Sequence, residues 1–142
     1  MNAKEIDIEA IGRIIVDTAI QVHKALGPGL LESVYQQCHT LELRARGLQV
    51  DNEVFLPIIY KSLRIEAGYR LDTLVECCVP IENKTVELLL PIHEAQLLTY
   101  LRLGNYRLGY LLNWNVKLMK YGIKRMVNNL PEPERPMEHN ST

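Results

Sequence analysis

Leu71-Asp72-Thr73-Leu74-Val75-Glu76-Cys77-Cys78-Val79-Pro80-Ile81-Glu82-Asn83-Lys84 is the stretch that decides how this 142-residue chain folds. Leu63 to Val75 reads as one extended run and Val79 to Val86 as a second, joined by Glu76-Cys77-Cys78, which is short enough for a hairpin loop. A register in which Val75 faces Val79 puts Asp72 opposite Glu82. Opposed antiparallel positions bring Cβ atoms to about 4.5–5.5 Å, so two carboxylates meet on one side of the sheet. The period of two then places Lys84 on the same face as Glu82 and Asn83 on the other. Two acids in a half-buried site repel unless something positive lies between them, and a hard cation with oxygen ligands, such as Mg2+, is the usual answer. The competing reading is a solvated cross-strand salt cluster, since acid-x-Lys triplets are common by chance. Against it stands the setting: Asp72 interrupts an otherwise core-like run, where a charge is rarely placed without a partner.

Working outward along the chain, Ile8, Ile11, Ile15, Ala19, Val22 and Leu26 recur at helical spacing, which predicts an amphipathic helix from about Asp7 to Leu26, ended by Gly27-Pro28-Gly29. A second helix follows, with Leu31, Val34, Cys38, Leu41 and Ala45 as its apolar face and Glu32, Tyr35, Gln36 and His39 on the other, closing at Gly47. Val50 to Tyr60 is rich in β-branched and aromatic residues, and Lys61-Ser62 turns it into the Asp72 strand. Pro80 removes a ladder N–H and is expected at the beginning of the third strand. After Pro91 a helix is expected over about 92–103, stopped by Gly104-Asn105, and then an apolar strand from Leu108 to Trp114. A strand–helix–strand succession predicts a right-handed crossover with the last strand parallel to the third. The predicted core order is αβββαβ with an extra N-terminal helix. Lys117 to Asn129 has helical spacing at Leu118, Ile123 and Val127 but is weakened by Gly122, and reads as a short helix or a covering loop.

At 142 residues, with 47% hydrophobic and 23% charged residues, the composition suits one compact domain over residues 1–130. The segment 131–142, with three prolines and hardly any apolar residues, reads as a disordered polar tail. No apolar run approaches the roughly 20 residues of a membrane span, and the N-terminus lacks the pattern of a signal peptide, so the expectation is a cytoplasmic protein with no membrane partner. Cys38, Cys77 and Cys78 are an odd set without metal-ligand spacing, and the four histidines form no HxH or HExxH pattern, which disfavours a disulfide framework and a zinc hydrolase. The formal net charge is −1; the tail holds Glu132, Glu134 and Glu138 against Arg135, so the rest of the chain carries +1. Affinity for a phosphate backbone must therefore come from local clusters, such as Lys61/Arg64/Arg70 or Lys117/Lys120/Lys124/Arg125, and from a metal. Each cluster reads equally as a solvated face.

Gly29-Leu30-Leu31-Glu32-Ser33-Val34-Tyr35 spells GxxExxY and precedes Asp72 and Glu82-Asn83-Lys84 at suitable distances. Pro91-Ile92-His93-Glu94-Ala95-Gln96-Leu97-Leu98-Thr99-Tyr100 and Gly122-Ile123-Lys124-Arg125-Met126-Val127-Asn128 complete the set. With these motifs in this order, the chain resembles the GxxExxY proteins, a group within the PD-(D/E)XK nuclease superfamily, from its first helix to about Asn129. The resemblance implies the restriction-endonuclease-like α/β fold, a mixed sheet flanked by helices, and phosphodiester hydrolysis of DNA or RNA with Mg2+ or Mn2+. It makes Asp72 and Glu82 metal ligands, the backbone carbonyl of Asn83 another, and Lys84 the group that orients or helps deprotonate the attacking water. Glu32 would reach the site from its helix as a further ligand or through a water.

Gln96 and Tyr100 stand one helical turn apart and share a face, similar to the QxxxY feature of RecB-like nucleases, in which it supports active site and substrate. Tyr35 joins them as site support. Plain structural readings stand beside these: Gln96 as a surface bridge, Tyr100 and Tyr35 as packing aromatics, His93 as a helix-start residue, and Glu32 as an acid favoured in a first helical turn by about 0.3–1 kcal/mol. Relatives usually carry an apolar residue where Asn83 stands, so its amide must find hydrogen-bond partners or incur a desolvation cost of roughly 1–3 kcal/mol. The near-neutral charge keeps a second function in view, a weakly active or inactive nuclease-fold module that binds nucleic acid or a protein partner. Self-association is compatible with the sequence, which specifies no interface.

Overall fold

The computed structural model describes residues 7–131, so the segment expected to be a polar tail lies, beyond Pro131, outside the described residues. Helix α1 (Ile8–Leu26) begins where expected because the Asp7 side chain accepts from Ala10 N at 3.0 Å, an N-cap worth about 1 kcal/mol. It ends at Gly27, whose φ of 73° is open to glycine at little cost and lets its N–H bond His23 O at 2.8 Å. Ile11, Ile15, Ala19 and Val22 form its buried stripe.

Helix α2 (Glu32–Ala45) forms as expected but presents the opposite face. Tyr35, His39, Thr40 and Leu43 point inward, while Leu31 and Leu41 are 74% and 68% exposed. Counting only aliphatic residues as core misassigned this face. Tyr35 and His39 bury large ring surfaces, and the Tyr35 hydroxyl and His39 Nε2 are partnered. The Tyr35 hydroxyl donates to Gly27 O at 2.6 Å and accepts from Leu30 N at 3.1 Å, and His39 Nε2 lies 2.9 Å from Thr18 Oγ1.

The sheet comprises β1 (Val50–Tyr60), β2 (Leu63–Val75), β3 (Val79–Lys84), β4 (Leu108–Asn113) and β5 (Ile123–Val127), in that spatial order. Helix α3 (Pro91–Gly104) connects β3 to β4. β1/β2, β2/β3 and β4/β5 are antiparallel, and β3/β4 are parallel, as the strand–helix–strand succession predicts. The β2/β3 register is Val75↔Val79, Leu74↔Pro80, Thr73↔Ile81, the one inferred from the hairpin. Pro80 does not disturb it, because parallel pairing with β4 begins one residue later, at Ile81↔Tyr110.

β5 corrects the reading of Lys117 to Asn129. The segment makes one turn of 3-10 helix at Met119–Tyr121 and then pairs along β4 from Leu112↔Ile123 to Leu108↔Val127. Gly122 sets the switch: its carbonyl accepts from Asn113 N at 2.7 Å, and an added Cβ would lie 2.1 Å from Asn113 O. Open hydrogen-bonding groups on β4 outweigh a weak helical pattern broken by glycine.

Ile15, Tyr35, Leu43, Val75, Ile81, Leu112 and Trp114 make up much of the main core, between the sheet and α1/α2. Leu97 and Leu101 of α3 cover Leu111 in a second cluster, and Tyr100 lies against a third with Tyr69, Leu71 and Leu74. Among the described residues no helix is long and apolar enough to cross a membrane.

Candidate active site

The β2/β3 ladder stops at Thr73↔Ile81, and one step further side chains take over the pairing. Glu82 Oε1 accepts from Asp72 N at 3.1 Å, and Asp72 Oδ2 accepts from Asn83 N at 2.9 Å. Each carboxylate is thus fixed by the other strand's backbone, and both residues are only 5% exposed. Burial first, and then the neighbouring Asp72 charge, push the Glu82 carboxyl up to about 8, against a smaller lowering by the Asp72 N–H and by Lys84. Two buried acids that resist joint ionisation are a donor set suited to a hard dication.

Lys84 ends β3, partly buried, on the Glu82 face of the strand. Glu32 opens α2 close enough to feel these groups. Its pKa is raised by burial first and then by Asp72, while Lys84 and Arg70 pull it down. Among the described residues no three His, Cys, Asp or Glu side chains converge tightly enough to hold a metal ion together. Glu32 stands near enough to the Asp72–Glu82 pair to sense its charge from the start of α2. Such a pair still fits Mg2+, which is commonly bound through one or two carboxylates and keeps several waters.

Asn83 resolves its own polarity problem. Its side chain, on the face away from Glu82, accepts from Trp114 Nε1 at 2.9 Å, and both residues are buried. Tyr35 stacks on Trp114 with centroids 5.0 Å apart and planes 6° apart, and His39 meets the same indole edge-on. Tyr35 is thus packed behind Asn83 through Trp114, and its hydroxyl is committed to Gly27 and Leu30.

Tyr100 lies on the carboxylate side. Its pKa is raised by burial and then by the Glu82 charge, with the Gln96 side chain opposing. Its ring stacks on Tyr69 at 4.9 Å. Gln96 and Tyr100 are therefore neighbours on α3, with Tyr100 near enough to feel the Glu82 charge, whereas His93 is a helix-start residue whose Nδ1 accepts from Leu90 N at 2.9 Å.

Sequence reasoning missed Gln36, Glu53 and Trp114 as site residues, and read Arg70 only as part of the Lys61/Arg64/Arg70 cluster without placing it at the carboxylates. Gln36 Nε2 donates to Asp72 O at 2.9 Å and to Glu53 Oε1 at 3.1 Å, locking α2 to β2 and β1. Arg70 bridges Glu53 and Asp72. Two signals point to them: Gln36 lies one helical turn after Glu32, and Arg70 lies two residues before Asp72 on its strand. A separate groove lined by Gly12, Arg13, Tyr110 and Arg125 contains none of these residues.

A family model described as the PD-(D/E)XK nuclease superfamily matches residues 9–126. No curated protein and no solved structure matches the chain. The five-stranded mixed sheet with helices on both faces agrees with the restriction-endonuclease-like domain of that family, in which a divalent metal ion is the general cofactor. With the match spanning most of the sequence and the acidic pair and lysine standing on its second and third strands, the chain belongs to the PD-(D/E)XK nuclease superfamily.

Proposed function

We propose that this protein is a Mg2+- or Mn2+-dependent nuclease of the GxxExxY group that hydrolyses phosphodiester bonds in DNA or RNA. The observation that carries the reading is the buried side-by-side pairing of Asp72 and Glu82, each held by the other strand's backbone N–H, with Lys84 two residues further on the Glu82 face. Asp72 and Glu82 would hold the cation, with the Asn83 carbonyl as a further oxygen donor and Glu32 acting through water. Bound there, the cation supplies Lewis-acid polarisation of a phosphoryl oxygen and lowers the pKa of water.

The chain's own groups do the rest. Lys84 orients the attacking water and offsets negative charge on the phosphate as the water oxygen bonds to phosphorus and the leaving P–O bond breaks. The backbone bonds to Asp72 and Glu82 fix both carboxylates in place before substrate arrives. Gln96 and Tyr100 line the Glu82 side, and Tyr35 supports Asn83 from behind through Trp114.

The test is cleavage of plasmid DNA and of a structured RNA with Mg2+ or Mn2+, using the wild type and Asp72→Ala, Glu82→Ala and Lys84→Ala, with folding checked by circular dichroism. Cleavage that needs the metal and disappears in each variant is expected. A folded wild type that binds nucleic acid but cuts neither polymer with either metal would overturn the enzymatic reading in favour of a non-catalytic binding module.

A further inference from the structure

Arg70 touches two carboxylates unequally. Its Nη1 lies 2.8 Å from Glu53 Oε2, a good charge-assisted bond, while its Nη2 lies 3.4 Å from Asp72 Oδ1, at the limit of one. The guanidinium is therefore anchored on Glu53 and rests loosely on Asp72. The anchor itself is held firmly: Gln36 Nε2 donates to Glu53 Oε1 at 3.1 Å and to Asp72 O at 2.9 Å. Glu53 also has a φ of 54°, a left-handed conformation that a non-glycine residue adopts at a cost. Strain of this kind persists where surrounding bonds over-determine it, and it clusters at functional sites.

Asp72 Oδ2 is engaged by Asn83 N–H, so Oδ1 is the oxygen best placed for a cation, and it is the one Arg70 reaches. The Arg70 side chain is 51% exposed, and its planar fork carries five donors suited to paired phosphate oxygens. We propose that Arg70 is the phosphodiester-binding residue of this site, tethered by Glu53 and shared between Asp72 Oδ1 and the substrate phosphate. A divalent cation and Arg70 compete for Oδ1. When the cation takes that oxygen, Glu53 keeps the guanidinium within reach of the phosphate beside it. This inference rests on the nuclease reading above.

The test compares wild type, Arg70→Gln and Glu53→Gln by two measurements other than turnover. Calorimetry reads Mn2+ affinity; fluorescence anisotropy reads binding of a labelled single-stranded oligodeoxynucleotide in a Lys84→Ala background that blocks cleavage. Arg70→Gln is expected to bind Mn2+ on the order of tenfold more tightly, because a neighbouring positive charge is gone. It is expected to bind the oligonucleotide on the order of tenfold more weakly, with the salt slope reduced by about one. Glu53→Gln, which frees Arg70 to settle on Asp72, is expected to weaken Mn2+ binding. If Arg70→Gln leaves both affinities unchanged or moves them in the same direction while the wild type binds Mn2+ through Asp72, this inference falls alone. If the wild type binds no Mn2+, or Asp72→Ala binds it equally well, the nuclease reading and this inference fall together.

Discussion

Replacing Glu82 with Gln should make the metal-free protein more stable near neutral pH. Glu82 is buried against Asp72, and its carboxyl is pushed up to about 8 from an ordinary value of 4.5. The folded state therefore binds this proton more tightly than the unfolded state. The stability linked to Glu82 is complete below pH 4.5 and is lost progressively as pH rises to about 8. At pH 7 the loss amounts to about two and a half pKa units, or up to about 3 kcal/mol. Gln carries no titrating proton, keeps an oxygen to accept from Asp72 N and gains an N–H that can donate to the Asp72 carboxylate. Urea denaturation in EDTA across pH 4.5–8 reads the difference: near parity at the acid end, and the variant ahead by up to about 3 kcal/mol at pH 7. Saturating Mn2+ should largely close the gap, since metal at a hundred times its Kd adds about 2.7 kcal/mol to a protein that binds it only when folded. A variant no more stable than wild type at pH 7, with the same pH slope, would refute the claim that these carboxylates repel each other in a desolvated site.

Asn83→Leu and Trp114→Phe each leave a buried partner of the Asn83–Trp114 bond unsatisfied and should each cost about 1–3 kcal/mol. The double variant should cost less than the sum, with a coupling of about 1 kcal/mol or more in a urea double-mutant cycle. His39 is held down to about 4 by burial, so its neutral form stabilises the fold fully above pH 6.5, and this is lost as pH falls to 4. His39→Gln should flatten that acid limb, by up to about 3 kcal/mol in equilibrium denaturation. Gly122→Ala would drive a Cβ into the Asn113 carbonyl and should destabilise by about 1–3 kcal/mol, with amide exchange accelerated first in β5.

The site's two acids were legible because hairpin register is local: with Val75 facing Val79 and the ladder regular to Thr73↔Ile81, Asp72 falls beside Glu82. The parallel pairing of β3 with β4 was legible for a similar reason, since a crossover helix between two apolar strands has few ways to return. β5 was not, because the edge of β4 that it pairs with is a tertiary feature and Leu118, Ile123 and Val127 happen to fit a helical period. Gln36 and Glu53, and the placement of Arg70 beside Asp72, were hidden for a different reason. Their contacts come from hydrogen bonds between three elements, and Glu53 has a left-handed backbone that its residue type does not announce.

Helix α2 shows what the site demands of the fold. Leaving Leu31 and Leu41 largely in water forgoes burial worth up to about 1.5–3 kcal/mol each. Turning those residues inward would rotate Glu32, Tyr35, Gln36 and His39 outward together, because they occupy one face. That rotation would break the Tyr35–Trp114 stack and the bond from Gln36 to the Asp72 carbonyl, and it would expose a ring stack and a histidine that are now almost fully buried. Aromatic burial of that size, with the Tyr35 hydroxyl and His39 Nε2 already partnered, equals or exceeds two leucines. The inward face of α2 is thus chosen by its rings, and the same choice delivers Glu32 and Gln36 to the carboxylates. A variant that makes this face aliphatic, such as Tyr35→Leu with His39→Leu, should keep the helix but loosen Trp114 and with it the Asn83 bond that backs the site.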